Sequence, residues 1–261
     1  MIPKKIHYCW FGGNPKPEII EKCIASWHAF CPDWEIVEWN ESNYDVSAYP
    51  YMQEAYEAKK WAFVSDVARL DIVVKHGGIY LDTDVELLSM NPFDSYLHYE
   101  NILVFENERG IATGLTFGAQ KNSVLCSKLL EPYNGLSFLE NGPILNTTIN
   151  RDVFVAEFPG LKWNAKTQTF GNTYIMGTDE YHRYMKHYGT KTWGDNLPKY
   201  TLTGDMPIKR FLRNPAIFEK LEASPLGKKV LPVYQFLAYD LLDLGPFYFV
   251  RRIIAVRKGS K

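Results

Sequence analysis

The sequence lacks a strong excess of charge of either sign. Its 261 residues include 29 Lys and Arg against 30 Asp and Glu, so the formal net charge is −1. That balance argues against a general nucleic-acid-binding protein, which usually carries a marked basic excess. Hydrophobic residues at 46% and charged residues at 23% also exclude an intrinsically disordered chain. We therefore expect a globular protein with no nucleic-acid partner.

The sequence also lacks the long apolar segments that mark membrane insertion or export. No run approaches the roughly 20 apolar residues that a membrane-spanning helix needs. Residues 1–7 do not resemble the apolar core of a secretory signal. Cysteine is scarce, with four residues that form neither a CxxC pair nor zinc-ligand spacing. We therefore expect a cytoplasmic protein with buried, reduced thiols.

The chain opens with short apolar runs separated by a helical repeat. Residues 5–11 are apolar and aromatic and stop at Gly12-Gly13, which predicts a buried strand that opens into a loop. Apolar residues at steps of three and four then predict a helix to about Phe30, and residues 34–39 predict a second strand. Strand, helix and strand in this order indicate a parallel α/β sheet.

Further along, the predicted elements are shorter. We predict a helical stretch over residues 51–76 with a break near Trp61, strands over 79–81, 85–88, 102–105 and 115–118, and a helix over 123–130. Gly77-Gly78 is placed to end the long helix. Beyond residue 150 the periodicity weakens, and neither a repeat nor a linker divides the chain. We therefore predict one domain over residues 1–261.

Two carboxylates, Asp82 and Asp84, directly follow the predicted strand 79–81. Open α/β sheets bind ligands at this edge. Neighbouring carboxylates repel each other, and Mg²⁺ or Mn²⁺ relieves that repulsion and can bridge to phosphate oxygens. Taken alone, however, an Asp-x-Asp motif favours a turn with two solvated aspartates.

Polar residues on the preceding helix favour a metal site over a solvated turn. Asp66 and Arg69 are three residues apart, so they share a face and can form an ion pair, and Ser65 lies beside them. Because helix, Gly-Gly cap, strand and Asp-x-Asp follow one another with almost no spare residues, we expect Asp66 and Arg69 near the metal-binding carboxylates. A surface salt bridge on the helix is the alternative for this pair.

These segments resemble the Asp-x-Asp sugar transferases. Residues 63–70 and 77–84 look like that family's signature, and residues 2–13 are similar to its first strand. The family includes the capsular and exopolysaccharide transferases of glycosyltransferase family 32, the yeast initiating mannosyltransferase and the large clostridial toxin glucosyltransferases. The resemblance is strong over about the first 90 residues, with weaker echoes at 118–119, 142–143 and 187–193.

The resemblance implies a GT-A-like, Rossmann-like α/β sheet that is flanked by helices and binds a nucleotide sugar and a divalent metal. Asp84 then ligates the metal directly, and Asp82 holds the ribose and a metal-bound water. Trp10 matches an aromatic residue that stacks on the nucleobase, usually uracil, and Cys9 beside it belongs with the nucleotide-binding residues. By the same resemblance, Asp66 and Arg69 hydrogen-bond the donor sugar, with Ser65 nearby.

The late segment 187–193 resembles a His-rich stretch of the family that ends in Ser-Trp and closes over the diphosphate. Here His187, Thr192 and Trp193 take that part, with Thr192 where the family has Ser. The spacing leaves open whether Thr190 or Thr192 faces the metal. A core Trp with a neighbouring surface His fits the segment equally well.

The expected function is a metal-dependent retaining transferase that moves a hexose, galactose or glucose, from a UDP-sugar to a saccharide acceptor. The resemblance adds a lipid-linked acceptor and a place in capsular or exopolysaccharide synthesis. A mannosyltransferase that uses GDP-mannose is an alternative. A phosphohydrolase of the haloacid-dehalogenase kind fits less well, because Glu86 stands where that family has Thr or Val. A sugar-binding module without catalysis leaves the four charged residues at positions 66, 69, 82 and 84 unexplained.

The C-terminal residues 244–261 combine aromatic and aliphatic side chains with cations and contain no acidic residue. Such a segment is typical of an interfacial helix on an anionic membrane surface, which predicts peripheral association with the inner face of the cell membrane. A helix docked on the core with its basic residues outward is the alternative. The cations are Arg251, Arg252, Arg257, Lys258 and Lys261.

Overall fold

The structure, a computed structural model, describes residues 1–89, 92–108, 110–142 and 144–190. Among those residues, no helix is both long enough and apolar enough to cross a bilayer. The predictions for Thr192, Trp193 and the basic segment 244–261 lie outside the described residues. The single-domain prediction for 1–261 also extends past them.

Ten strands and seven α-helices, with two short 3₁₀ helices, are found in the described part of the chain. The strands are β1 Lys5–Cys9, β2 Glu35–Trp39, β3 Gly78–Leu81, β4 Val85–Leu87, β5 Asn101–Asn107, β6 Gly110–Ile111, β7 Thr116–Ala119, β8 Gln168–Phe170, β9 Thr173–Met176 and β10 Met185–His187. The helices are α1 Glu18–Phe30, α2 Pro50–Glu57, α3 Trp61–His76, α4 Val124–Leu130, α5 Phe138–Asn141, α6 Asn146–Glu157 and α7 Thr178–Tyr184.

The main sheet has the strand order β2-β1-β3-β7-β5-β9-β8, with β6 paired to β5. β1 runs parallel to β2 and β3, and β5 runs parallel to β9, whereas β7 and β8 are antiparallel to their neighbours. The parallel start is therefore confirmed, and the sheet as a whole is mixed. β4 leaves this sheet and pairs antiparallel with β10 in a separate two-stranded sheet.

Helices cover both faces of the sheet, as the side chains of β1 illustrate. Ile6 and Tyr8 face one way, where Tyr8 meets Trp27 of α1 with ring centroids 5.4 Å apart. Successive strand residues alternate in direction, so His7 and Cys9 face the other way, towards α3. The expected fold class, an α/β sheet flanked by helices, is confirmed.

The junction between α3 and β3 places the two carboxylates. Gly77 ends α3 with φ at +66° and donates its N–H to the carbonyl of Val73 at 2.8 Å, as the Gly-Gly cap predicted. A Cβ at Gly77 would lie 2.7 Å from the backbone nitrogen of Lys121, so glycine is also required sterically. β3 then ends at Leu81, and Asp82 is the next residue.

Candidate active site

Asp82 and Asp84 lie at the end of β3, as predicted, and His187 from the end of β10 joins them. Nε2 of His187 is 3.1 Å from Oδ1 of Asp84. Asp82, Asp84 and His187 each offer one ligand atom, and these atoms all lie within 4.8 Å of one another. Two carboxylates and an imidazole so close together form a donor set that suits a divalent cation.

The segment after β10 closes on Asp84 from the far end of the described chain. Thr190 donates both its backbone N–H, at 2.8 Å, and its hydroxyl, at 2.9 Å, to Oδ2 of Asp84. Tyr188 donates its backbone N–H to the Asp84 carbonyl at 3.0 Å. Thr190, one of the two threonines that the spacing left open, therefore contacts the Asp-x-Asp motif, and Thr192 lies outside the described residues.

The three groups titrate differently because their surroundings differ. Burial raises the pKa of Asp82 to about 6; the charge of Arg69 opposes that rise and the charge of Asp84 adds to it. Burial also raises the pKa of Asp84, but the hydrogen bonds from His187 and Thr190 outweigh it and the net change is downward. For His187, burial lowers the pKa and the Asp84 carboxylate more than reverses that effect. Concentrated negative charge in a half-buried site favours a bound cation.

Arg69 links α3 to the Asp-x-Asp motif. Its Nη2 lies 3.0 Å from Oδ1 of Asp66 and 3.7 Å from Oδ1 of Asp82. Its Nε donates to the carbonyl of Ser65 at 2.8 Å, and its Nη2 donates to the Ser65 hydroxyl at 3.1 Å. Arg69 is 3% exposed and Asp66 is 7% exposed, so the alternative of a surface salt bridge is wrong. Burial makes an unpaired charge costly here, so the pair is held firmly.

Tyr80, which the sequence reasoning did not single out, completes this arrangement from β3. Its hydroxyl donates to Oδ1 of Asp82 at 3.0 Å, and its ring lies 4.9 Å from the guanidinium carbon of Arg69. The guanidinium group of Arg69 therefore lies against the face of an aromatic ring as well as near the carboxylates of Asp66 and Asp82.

Asn146, the first residue of α6, is a second site residue that the sequence reasoning missed. Its Nδ2 donates to Oδ1 of Asp66 at 2.6 Å, and the same oxygen forms the ion pair with Arg69. Burial raises the pKa of Asp66, and the charge of Arg69 and the bond from Asn146 oppose that rise. The only cue in the sequence was the faint family echo at residues 142–143, just before α6.

One donor of Arg69 is left without a partner among the described residues. The Nη1 group is buried and makes no hydrogen bond there. It lies beside Gly114, where a Cβ would be 2.8 Å from Nη1 and 3.4 Å from Nδ2 of Asn146. An unsatisfied buried guanidinium nitrogen is costly, and at a functional site it indicates a ligand that accepts its hydrogen bond.

The predicted nucleotide-binding residues lie at the end of β1. Trp10 is half-buried, and its indole N–H donates to the carbonyl of Asn14 at 2.7 Å. Cys9 is buried and burial raises the pKa of its thiol to about 12, so its side chain stays a neutral thiol. None of the four cysteines forms a disulfide, as expected. Thr192 and Trp193 lie outside the described residues, so their expected place is not tested.

The site can now be compared with known proteins. Residues 17–103 match the family model of the glycosyltransferase sugar-binding region containing the DXD motif. The matched range includes α3, β3 and the Asp-x-Asp motif.

A relative among characterised proteins is inositol phosphoceramide mannosyltransferase 3 of Schizosaccharomyces pombe. It is 24% identical over 211 residues, which cover 75% of this chain and 56% of the relative. The chain therefore spans little more than half the length of that protein.

Two solved structures are similar to part of this fold, at low sequence identity and low TM-score. The PaToxG glycosyltransferase has 16% identity and a TM-score of 0.45, covering 61% of this chain and 71% of its own. A glycosyltransferase involved in the glycosylation of the major capsid of PBCV-1 has 12% identity and a TM-score of 0.40, covering 72% and 95%. These TM-scores are too low to carry an argument, so the comparison rests on the family match. Over residues 17–103 the chain is similar to the sugar-binding region of DXD-containing glycosyltransferases.

Proposed function

We propose that the chain is a retaining hexosyltransferase that takes its sugar from a UDP-sugar in the presence of Mn²⁺ or Mg²⁺ and delivers it to a saccharide hydroxyl. The observation that carries the proposal is the meeting of Asp82, Asp84 and His187 with ligand atoms within 4.8 Å. DXD glycosyltransferases generally use a divalent metal and a nucleotide sugar. A cation held there neutralises the charge of the leaving diphosphate, which is the largest electrostatic task in such a reaction.

In this proposal Asp84 and His187 are metal ligands, and Asp82 contacts the metal through water or holds the ribose. Their preorganisation supports these roles. Thr190 and the β4–β10 pairing keep Asp84 and His187 in place, and Tyr80 keeps Asp82 in place. A site whose ligands are already fixed loses little free energy to ordering when the ligand arrives.

The donor sugar lies against Asp66 and Arg69 in the same proposal. Oδ1 of Asp66 accepts a hydrogen bond from Asn146 and forms the ion pair with Arg69, so Oδ2 is the oxygen that can accept a bond from a sugar hydroxyl. The unpartnered Nη1 of Arg69 supplies a matching donor. A fixed acceptor next to a fixed donor fits a polyhydroxylated ring.

Uridine is our first choice of nucleoside because Trp10 matches a position that stacks on uracil. GDP-mannose is the second choice, and it is favoured by the relative whose name says that it is a mannosyltransferase. The capsular or exopolysaccharide role and the lipid-linked acceptor rest on the family resemblance.

A screen of nucleotide sugars tests the proposal. UDP-glucose, UDP-galactose and GDP-mannose are incubated with the protein, with Mn²⁺, Mg²⁺ or EDTA, and the release of nucleoside diphosphate is followed. We expect release from one donor that depends on metal and that EDTA abolishes. Release of inorganic phosphate instead would indicate a phosphohydrolase, and release in EDTA would contradict the metal assignment.

We also propose that the basic segment 244–261 holds the protein to anionic membranes. Each cation near such a surface contributes about 1 kcal/mol. Cosedimentation with anionic liposomes tests this, with the full chain compared against a full-length variant in which its five Lys and Arg residues are replaced by Gln. Equal recovery of both in the supernatant would contradict the proposal.

A further inference from the structure

An open cleft of about 370 Å³ lies beside the Asp-x-Asp motif, and we call it the acceptor cleft. The volume is within the range of small-molecule sites. Its walls come from the end of β4, from β5, from the start of β7, from α7 and from β10. The lining includes Leu88, Glu106, Leu115, Tyr181, Met185 and His187.

Two lining residues connect the acceptor cleft directly to the proposed metal site. His187 lines the cleft and contacts Oδ1 of Asp84 through its Nε2 at 3.1 Å. Leu115 lines the cleft as well, and its carbonyl accepts the backbone N–H of Asp82 at 3.2 Å. A molecule in the cleft therefore lies beside His187, which contacts the Asp84 carboxylate, and beside the backbone segment that pairs with Asp82. A second substrate for a transfer at the metal has to be bound at such a place.

The surface of the cleft is divided into an apolar floor and a polar rim. Leu115, Tyr181 and Met185 are almost fully buried and form the floor. Glu106 and Lys186 are exposed and lie at the rim. A pyranose ring has the same division, because its C–H groups form apolar faces and its hydroxyls project from the edge. Apolar contact with a few polar groups at the rim is how small-molecule sites fix a ligand.

The cleft is lined by charged groups of both signs, with no excess of acidic residues. Glu106 is an anion on the β5 side, and Lys186 on the β10 side lies 4.4 Å from the ring of Tyr188. His182 and His187 also line the cleft. Sugar hydroxyls can donate to the Glu106 carboxylate and exchange hydrogen bonds with the histidine rings, so lining groups of mixed character suit them.

We propose that the acceptor cleft binds the terminal hexose of a neutral saccharide acceptor and presents its hydroxyl to the metal site. This inference rests on the proposed function, since it assigns the second substrate of the same reaction. It places Leu88, Glu106 and Met185 in acceptor recognition.

Binding of simple hexosides tests the proposal. The probes are the methyl α- and β-glycosides of glucose, galactose and mannose, observed by ligand-detected NMR with the full chain, UDP and Mg²⁺. We expect at least one glycoside to bind, and Leu88→Arg, which places a long cation in the cleft, to weaken its binding at least ~10-fold. Leu139→Arg is the matched control, because Leu139 is 72% exposed on α5 and Leu88 is 45% exposed at the cleft. The control variant should bind as the unsubstituted chain does.

Two results would overturn the acceptor cleft: no binding of any of the six glycosides, or equal weakening by Leu88→Arg and Leu139→Arg. The assay measures binding without turnover, so it separates this proposal from the proposed function. Metal-dependent donor hydrolysis without glycoside binding contradicts the cleft alone. Glycoside binding lost in Leu88→Arg, in a chain that hydrolyses no donor, contradicts the transferase proposal and leaves the cleft as a saccharide site.

Discussion

His7 should make the folded protein sensitive to mild acid. The side chain is 1% exposed on β1. Its Nδ1 accepts the indole N–H of Trp39 at 3.1 Å, so the neutral ring carries its proton on Nε2 and donates it to the carbonyl of Gly77 at 2.8 Å. If the ring gained a second proton, on Nδ1, that proton would point at the indole N–H of Trp39 and break the hydrogen bond between Trp39 and His7. Burial accordingly lowers the pKa of His7 to about 4, against 6.5 for an ordinary histidine.

The sign follows from which state binds more protons. Between pH 6.5 and 4 the unfolded chain has a protonated His7 and the folded chain does not. Stability therefore rises with pH in that window and is lost as the pH falls through it. At about 1.36 kcal/mol per pH unit, the loss attributable to His7 is up to about 3 kcal/mol, a large fraction of the stability of a typical domain.

Urea denaturation at several pH values between 4 and 7.5 measures this effect. His7→Gln keeps a donor for Gly77 and does not titrate, so its unfolding free energy should fall less steeply below pH 6.5 than that of the unsubstituted chain. His28→Gln is the control, because His28 is exposed on α1, and it should keep the original slope. If His7→Gln and the unsubstituted chain lose stability in parallel, the assignment of the acid sensitivity to His7 is wrong.

Three further predictions concern the site. Gly114→Ala should lower turnover at least ~10-fold, because its Cβ would lie 2.8 Å from Nη1 of the buried Arg69. Gly110→Ala is the control and should leave turnover unchanged, because its Cβ would have no atom within 4 Å. Steady-state kinetics of both variants measure the difference. Asn146→Ala removes the amide that fixes the Asp66 carboxylate, a charged hydrogen bond of about 1.5–3 kcal/mol, so kcat should fall roughly 10- to 100-fold at a temperature where circular dichroism shows the variant still folded. Trp10→Ala should weaken UDP binding by roughly 1–3 kcal/mol in calorimetry; a large fall in melting temperature with normal affinity would contradict base stacking.

Local patterns in the sequence were enough to predict much of the fold. The apolar steps of α1, the break before Trp61 and the Gly77 cap each depend on neighbouring residues, and the structure confirms all three. The direction of β7 could not be predicted, because antiparallel pairing with both β3 and β5 depends on which strands meet in space. The pairing of β4 with β10 joins residues about 100 positions apart and has no local signal.

The candidate site also has residues that local spacing predicted and residues that only tertiary contacts bring together. Asp82, Asp84, Asp66 and Arg69 belong to one continuous helix–strand unit, so their spacing predicted that they would meet. Their burial was not predictable from spacing, because it depends on what covers α3. Asn146 and Thr190 come from distant segments and reach the site only through tertiary contacts.

The central claim is a sugar transfer that depends on a metal bound at the Asp-x-Asp motif. The most direct measurement compares nucleoside diphosphate release from the preferred nucleotide sugar, over a Mn²⁺ titration, for the unsubstituted chain, Asp84→Asn and Asp33→Asn. Asp33 is an exposed aspartate whose side chain pairs with Lys4, so its variant controls for the loss of one negative charge. We predict a loss of at least ~10²-fold for Asp84→Asn at every Mn²⁺ concentration and none for Asp33→Asn. Turnover of Asp84→Asn equal to that of the unsubstituted chain would contradict the account.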